Sequence, residues 1–243
     1  MLSCAPSLRA KQSILSRAML LTAIFRRGWR AEVGSKQKSR SRLFPVFLKL
    51  RGRPAVVVGA GPIGEGKIRG LLTTGARIRV IAIRATAAVR AWAARGNISL
   101  YERAFVPADL DSALIAVAAT GSRELNEQIF RECRARGVLC NVVDVPDLCD
   151  FYYPAVVRRG DLQIAVSTSG QSPSLARRIR EQLEKQYGPD YARWVTELGR
   201  TRRRILNSDL EATRKRELLT SLAGLAAFEA AVAAIREKEG SMT

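Results

Sequence analysis

Apolar and polar positions from residue 43 onward fall into short runs that switch between a period of two and a period near 3.6. Residues 44–50, Phe-Pro-Val-Phe-Leu-Lys-Leu, alternate as a short edge strand would, and Arg51-Gly52-Arg53 turns the chain. Residues 54–58, Pro-Ala-Val-Val-Val, then form a continuous apolar run, the mark of a strand covered on both faces. A helical stretch follows as far as Leu72, with Gly75 as its stop. Further strands are expected over 77–83, 98–103, 112–118 and 138–143, with helices over 87–95 and 124–136. Parallel strands need long crossovers, so this order predicts an α/β fold: a Rossmann-type doubly wound parallel sheet.

The pattern changes after Phe151-Tyr152-Tyr153-Pro154. Residues 155–158 and 162–167, joined at Arg159-Gly160-Asp161, read as a strand pair outside the first sheet. Ser172-Pro173 supplies a cap followed by proline at the first helical position, which opens a helix through Tyr187. Gly188-Pro189 ends it. The remainder is helical and charged, with a break near 207–209 where Ser208 or Asp209 is expected to cap the next helix. Three regions follow: a basic extension over 1–42, a dinucleotide-binding domain over 43–153, and a strand-plus-helix region with a helical C-terminus over 154–243.

Charge sharpens the first boundary. The 243 residues carry a formal charge of +19. Residues 1–42 hold ten Lys or Arg against one acid, Glu32, so about half of the excess lies in a stretch with no strand pattern and one amphipathic segment at 14–25. We read it as an unstructured extension or a misplaced start; a targeting peptide and a nucleic-acid or membrane-surface arm are the alternatives. No apolar run approaches the length of a membrane span. The chain has no His, which excludes a His-based catalytic dyad or metal site and leaves acid–base work to Asp, Glu, Lys, Tyr or Cys. Cys4, Cys133, Cys140 and Cys149 lack metal-ligand spacing and read as reduced thiols, so no metal ligand is assigned.

Gly59-x-Gly61-x-x-Gly64 follows the apolar strand and opens a helix, the context a dinucleotide fingerprint requires. Gly59 allows the tight turn, Gly61 lets the backbone approach a pyrophosphate, and Gly64 lets helix and strand pack closely. The acid that usually ends the second strand is missing. Ile81-Ala82-Ile83-Arg84 ends in Arg84, which by itself favours NADP or a cofactor held by backbone. Asp144 falls at the carboxyl end of a strand, where such sheets bind ligands, with a turn cap as its alternative role. Ser167-Thr168-Ser169-Gly170-Gln171-Ser172-Pro173 is a hydroxyl-rich loop leading into a helix N-terminus and suits anionic groups; a plain capping loop is the alternative. The Arg200 to Arg204 run reads as a solvated helix face.

Taken together, Phe44-Pro45-Val46-Phe47, the glycine turn, Ala118-Ala119-Thr120, Asn141-Val142-Val143-Asp144, Phe151-Tyr152-Tyr153-Pro154-Ala155 and the 167–173 loop resemble the siroheme synthase N-terminal family, precorrin-2 dehydrogenase/sirohydrochlorin ferrochelatase. The likeness covers about 43–206 and points to the stand-alone form. It implies oxidation of precorrin-2 to sirohydrochlorin with NAD, and in many members insertion of Fe(II) to give siroheme; which of the two kinds this chain is stays open. It also implies a cytoplasmic homodimer. On the family pattern, Asp144 is the aspartate of both steps. Gly59, Gly61, Pro62, Ile63, Gly64, Ile83, Arg84, Thr120 and Asn141 fall at cofactor positions, and Thr168, Ser169, Gly170 and Ser172 at the substrate loop. The family usually has Arg-Lys where this chain has Gly66-Lys67, and a small residue then proline where it has Ile83-Arg84. NAD is retained as the expected cofactor. The reading from another class is a ligand-sensing Rossmann module whose basic helical end binds nucleic acid.

Overall fold

The structure, a computed structural model, describes residues 42–240. All of the expected extension except Arg42, including the amphipathic segment at 14–25 and Cys4, lies outside the described residues. The elements below belong to a unit that begins at Pro45.

Five parallel strands form the main sheet: β1 (Pro54–Ala60), β2 (Arg77–Ala85), β3 (Ser99–Tyr101), β4 (Ile115–Ala118) and β5 (Leu139–Val142), in the order β3-β2-β1-β4-β5. The crossovers are α1 (Pro62–Leu72), α2 (Ala87–Ala94), a 3-10 turn (Pro107–Leu110) and α3 (Arg123–Arg136). β1 is flanked on both sides, by β2 and β4, and its consecutive side chains feed opposite faces. Ala55 and Val57 join one cluster with Ile68 and Leu71 of α1 and Val89 of α2. Val56 and Val58 join a second with Ile129 and Cys133 of α3. The period of two thus makes a two-faced core out of an unbroken apolar run. The expected doubly wound sheet is present.

The expected edge strand over 44–50 is absent. Residues 42–50 carry no ladder, and Val46, Phe47 and Leu48 are exposed. The segment leads into the N-terminal end of the central strand, whose two edges are already paired by β2 and β4, and among the described residues it reaches no other strand edge. Only Leu50 turns inward, and the turn at 51–53 forms as expected, with Gly52 at a φ of +69°.

β6 (Ala155–Arg159) and β7 (Leu162–Val166) form the antiparallel pair, and α4 (Pro173–Gln186) follows, capped by Ser172 accepting from the Leu175 N–H. Arg159 donates to the Tyr187 and Glu184 carbonyls at the end of α4, tying the pair to the helix. α5 (Asp190–Leu206), α6 (Ala212–Leu222) and α7 (Leu225–Gly240) complete the described chain. Tyr191 and Trp194 of α5 pack on Phe228 of α7, the Tyr191 and Phe228 rings stacked 4.4 Å apart. The break after α5 lies where the sequence puts it, but neither expected cap is used. Glu211 precedes α6, while the Ser208 hydroxyl turns back to the Ile205 carbonyl of α5. A second break at Ala223-Gly224, which the sequence reading did not anticipate, separates α6 from α7.

One buried charge holds the β3–β4 crossover. Asp109 is 4% exposed and receives two hydrogen bonds from the Arg103 guanidinium, at 2.6 and 2.8 Å, and one from the Val106 N–H. The Arg103 hydrogen bonds hold its carboxyl below the usual range against the opposing effect of burial. Asp109→Asn is expected to cost about 1–2 kcal/mol in a denaturant titration, the low end for a charged hydrogen-bond partner because solvent screens Arg103. Because the folded-state pKa is depressed, that stability is complete above the unfolded carboxylate pKa and disappears as pH falls through the lower folded value. A loss that does not depend on pH in the acid range would show that the carboxylate charge is not responsible.

Candidate active site

Gly59 ends the straight part of β1 at a φ of +102°. A Cβ there would lie 2.4 Å from the Ala119 carbonyl oxygen, and one on Gly64 would lie 2.0 Å from the Gly59 carbonyl oxygen. Backbone from β1, α1 and the end of β4 therefore meets with no room for a methyl group. Gly61 is the opposite case: it precedes α1, and a Cβ on it would meet nothing within 4 Å. The turn is closed toward the protein at two glycines and open outward at the third, above a helix start whose first N–H groups lack intrahelical partners. That shape fits a dinucleotide pyrophosphate.

The strand order sorts the other candidates around this turn. β2 lies on one side of β1, and its exposed Ile83 and Arg84 stand at that end; Ile63, the second residue of α1, is 55% exposed. β4 and β5 lie on the other side and carry Thr120, Asn141 and Asp144. Chain direction reverses its filling of the sheet between β1 and β4, the switch point at which such sheets take ligands. Cofactor candidates thus straddle the crevice, and Asp144 stands two strands from the turn on the same carboxyl edge.

Thr120 is held by a residue the sequence reading passed over. Its hydroxyl lies 2.7 Å from Asn126 Oδ1, and the Asn126 amide donates back to the Thr120 carbonyl. Asn126, in the first turn of α3, is buried; a polar residue inside an otherwise amphipathic helix was the available signal. Asn141 is also buried, but its amide nitrogen donates to the Phe151 carbonyl at 2.8 Å and approaches Cys149 Sγ at 3.3 Å. It braces the 149–151 segment back onto β5.

Asp144 is exposed and adopts the left-handed conformation, φ +61°, which aspartate tolerates better than most residues. The loop beneath it is fixed. Asp150 accepts from the Cys140 N–H and pairs with Arg134, while Cys149 Sγ lies 3.1 Å from the Val142 carbonyl. Lys67, half-buried on α1, places its ammonium 3.9 Å from the centre of the Tyr153 ring. Burial lowers the Lys67 pKa, with Asp144 and then Cys149 opposing that shift, so the lysine and the aspartate share one electrostatic environment. Tyr153 is about two-fifths exposed as a residue, yet the atoms crowded around it push its pKa up to about 12. It remains a neutral phenol. Lys67 and Tyr153 each lie beside recognisable sequence features, but their contact, 86 positions apart, has no local signal.

The Thr168 to Ser172 loop largely satisfies itself. The Ser172 N–H donates to the Thr168 hydroxyl, the Gln171 N–H to the Thr168 carbonyl, and the Ser169 N–H to the Ser167 hydroxyl. Ser169 and Gly170 have φ of +52° and +78°. Among the described residues no hydrogen bond or ion pair joins this loop to Asp144. Nor is any described helix long and apolar enough to cross a membrane.

Residues 46–155 match a family described as putative NAD(P)-binding, and residues 159–186 match one described as sirohaem biosynthesis protein central. The chain is 38% identical over 161 residues to a siroheme synthase of Nitrosococcus oceani, covering 66% of this chain and 34% of that one. It is 42% identical over 140 residues to the siroheme synthase of Methylococcus capsulatus, covering 58% and 30%. The chain therefore spans about a third of the length of these relatives. A solved structure described as SirC, precorrin-2 dehydrogenase, superposes with a TM-score of 0.68 at 29% identity, over 80% of this chain and 100% of that one. The nucleic-acid-binding module finds no support among these relatives.

Proposed function

We propose that this chain, which belongs to the siroheme synthase N-terminal family, oxidises precorrin-2 to sirohydrochlorin with NAD as the hydride acceptor. The observation that carries the reading is an exposed carboxylate, Asp144, set on a braced loop at the same sheet edge as a glycine turn that is open only at Gly61. When bound, NAD supplies a two-electron acceptor. The protein's own part is to hold the pyrophosphate at Gly59, Gly61, Pro62, Ile63 and Gly64, and to flank the rest with Ile83 and Arg84 on one side and Thr120 and Asn141 on the other. As hydride leaves a ring carbon of the substrate, the Asp144 carboxylate takes the proton, so one hydride and one proton leave together. Lys67 keeps positive charge beside that carboxylate, and the Tyr153 ring limits its movement.

Thr168, Ser169, Gly170 and Ser172 are the proposed contacts for substrate carboxylates. A homodimer fits two features: α5 and α6 bury no residue within the single chain, and Val46, Phe47 and Leu48 of the first region are exposed. The division at 43–153 and 154–243 and a cytoplasmic setting belong to the same proposal. Fe(II) insertion is a further step of which Asp144 is chemically capable, as acceptor for the pyrrole N–H protons.

The test is anaerobic incubation of the protein with precorrin-2 and NAD, following sirohydrochlorin and NADH together. Equal amounts of both, dependent on protein, are expected; no NAD reduction above the protein-free rate would overturn the assignment. Sirohydrochlorin with Fe(II) in a parallel reaction addresses the second step, and no gain over the spontaneous rate would leave a dehydrogenase alone.

A further inference from the structure

The β1–β2 ladder is regular through Val58 opposite Ile81 and resumes at Ala60 opposite Ala85. Between these pairs β1 has one residue, Gly59, and β2 has three, Ala82, Ile83 and Arg84. The two extra residues leave the ladder: Ala82 is buried, whereas Ile83 is 75% exposed and Arg84 is exposed. The bulge is closed by the Thr86 N–H donating to the Ala60 carbonyl, and the Thr86 hydroxyl is occupied in capping α2 at the Val89 N–H. Arg84 is therefore set out beside the glycine turn, at the strand end where dinucleotide folds distinguish a ribose 2′-hydroxyl from a 2′-phosphate.

Two further observations define what Arg84 can bind. Among the described residues it makes no hydrogen bond or ion pair. The acids on the elements beside it are occupied: Glu102, just past β3, receives two hydrogen bonds from Arg90 of α2, and Glu65 of α1 pairs with Arg69. No carboxylate stands at the end of β2 to accept from a 2′-hydroxyl, and none neutralises the guanidinium.

We propose that Arg84 forms a 2′-phosphate subsite, so that this protein binds NADP at least as tightly as NAD. The inference rests on the dinucleotide site described above and adds to it the specificity of the adenosine end. A guanidinium can give a phosphate two parallel charge-assisted hydrogen bonds, which it cannot give a hydroxyl. Ile83 offers an apolar surface for the adenine beside it.

The test is calorimetric titration of the purified full chain with NAD and with NADP, without tetrapyrrole, so that the readout is binding rather than turnover. The dissociation constant for NADP is expected to equal or fall below that for NAD. Arg84→Ala should weaken NADP by about tenfold to a hundredfold, the range for a charge-assisted contact, and by at least about tenfold more than it weakens NAD. Arg84→Asp should reverse the preference by restoring an acceptor for the 2′-hydroxyl. Thermal unfolding of each variant without cofactor checks that both fold. Tighter binding of NAD than of NADP, or an equal loss of both in Arg84→Ala, would overturn the subsite while leaving the dehydrogenase reading intact. Binding of neither cofactor would overturn both.

Discussion

Asp144→Asn is expected to lower the rate of sirohydrochlorin formation by about 10²- to 10⁴-fold, the usual contribution of a positioned general base, with NAD affinity and melting temperature unchanged. Asparagine is the informative replacement because the backbone at 144 is left-handed, a conformation that asparagine shares with aspartate and alanine does not tolerate as well. Alanine would mix loss of the base with backbone strain. The brace beneath the residue does not involve its side chain: Asp150, Cys149 and Asn141 hold the loop through β5 and the carbonyls of Val142 and Phe151. Removing the charge should therefore leave the loop in place. Single-turnover formation of NADH from precorrin-2, set beside NAD titration, separates the two effects. A variant that turns over at the normal rate would remove Asp144 from the chemistry.

The second large effect is a contrast between neighbouring glycines. Gly64→Ala would drive its methyl group to 2.0 Å from the Gly59 carbonyl oxygen, a backbone atom that cannot move without parting α1 from β1. A loss of at least about 3 kcal/mol of stability is expected, as for other severe steric insertions in a packed core. Gly61→Ala meets nothing in the protein. Its melting temperature should stay near that of the parent, while NAD affinity falls by about tenfold to a hundredfold as the methyl enters the space meant for the pyrophosphate. Thermal melts and NAD titration of both variants read the contrast. If Gly61→Ala bound NAD normally, the open side of the turn would not be the phosphate site.

Much of this arrangement is written locally in the chain. An unbroken Ala55 to Val58 run followed by three spaced glycines can be recognised because each residue's role depends on its immediate neighbours. The same holds for Ser172-Pro173, which caps α4 as its sequence implies. What escaped the sequence reading depends on partners far along the chain. Residues 44–50 have the alternation of a strand, but a strand also needs another strand's edge brought alongside it, and alternation does not say whether the fold supplies one. Ser208 is a good cap by type, yet its hydroxyl is used by the helix it follows. The Lys67 contact with Tyr153 and the clasp of Asn126 on Thr120 arise from folding separate segments against each other. Register is equally invisible: nothing in Ile81-Ala82-Ile83-Arg84 states that two of its residues will leave the ladder.

That mismatch in strand length has a consequence for cofactor choice. On the proposed assignment, phosphate binding, adenosine recognition and proton removal would be rooted in three different strand ends, those of β1, β2 and β5, and the bulge detaches the second from the hydrogen-bonded frame that fixes the first. Under the proposal, substitution at 83 or 84 would retune the cofactor without disturbing the glycine turn or Asp144. On that assignment the choice of redox cofactor can change at β2 without any change in the chemistry at Asp144.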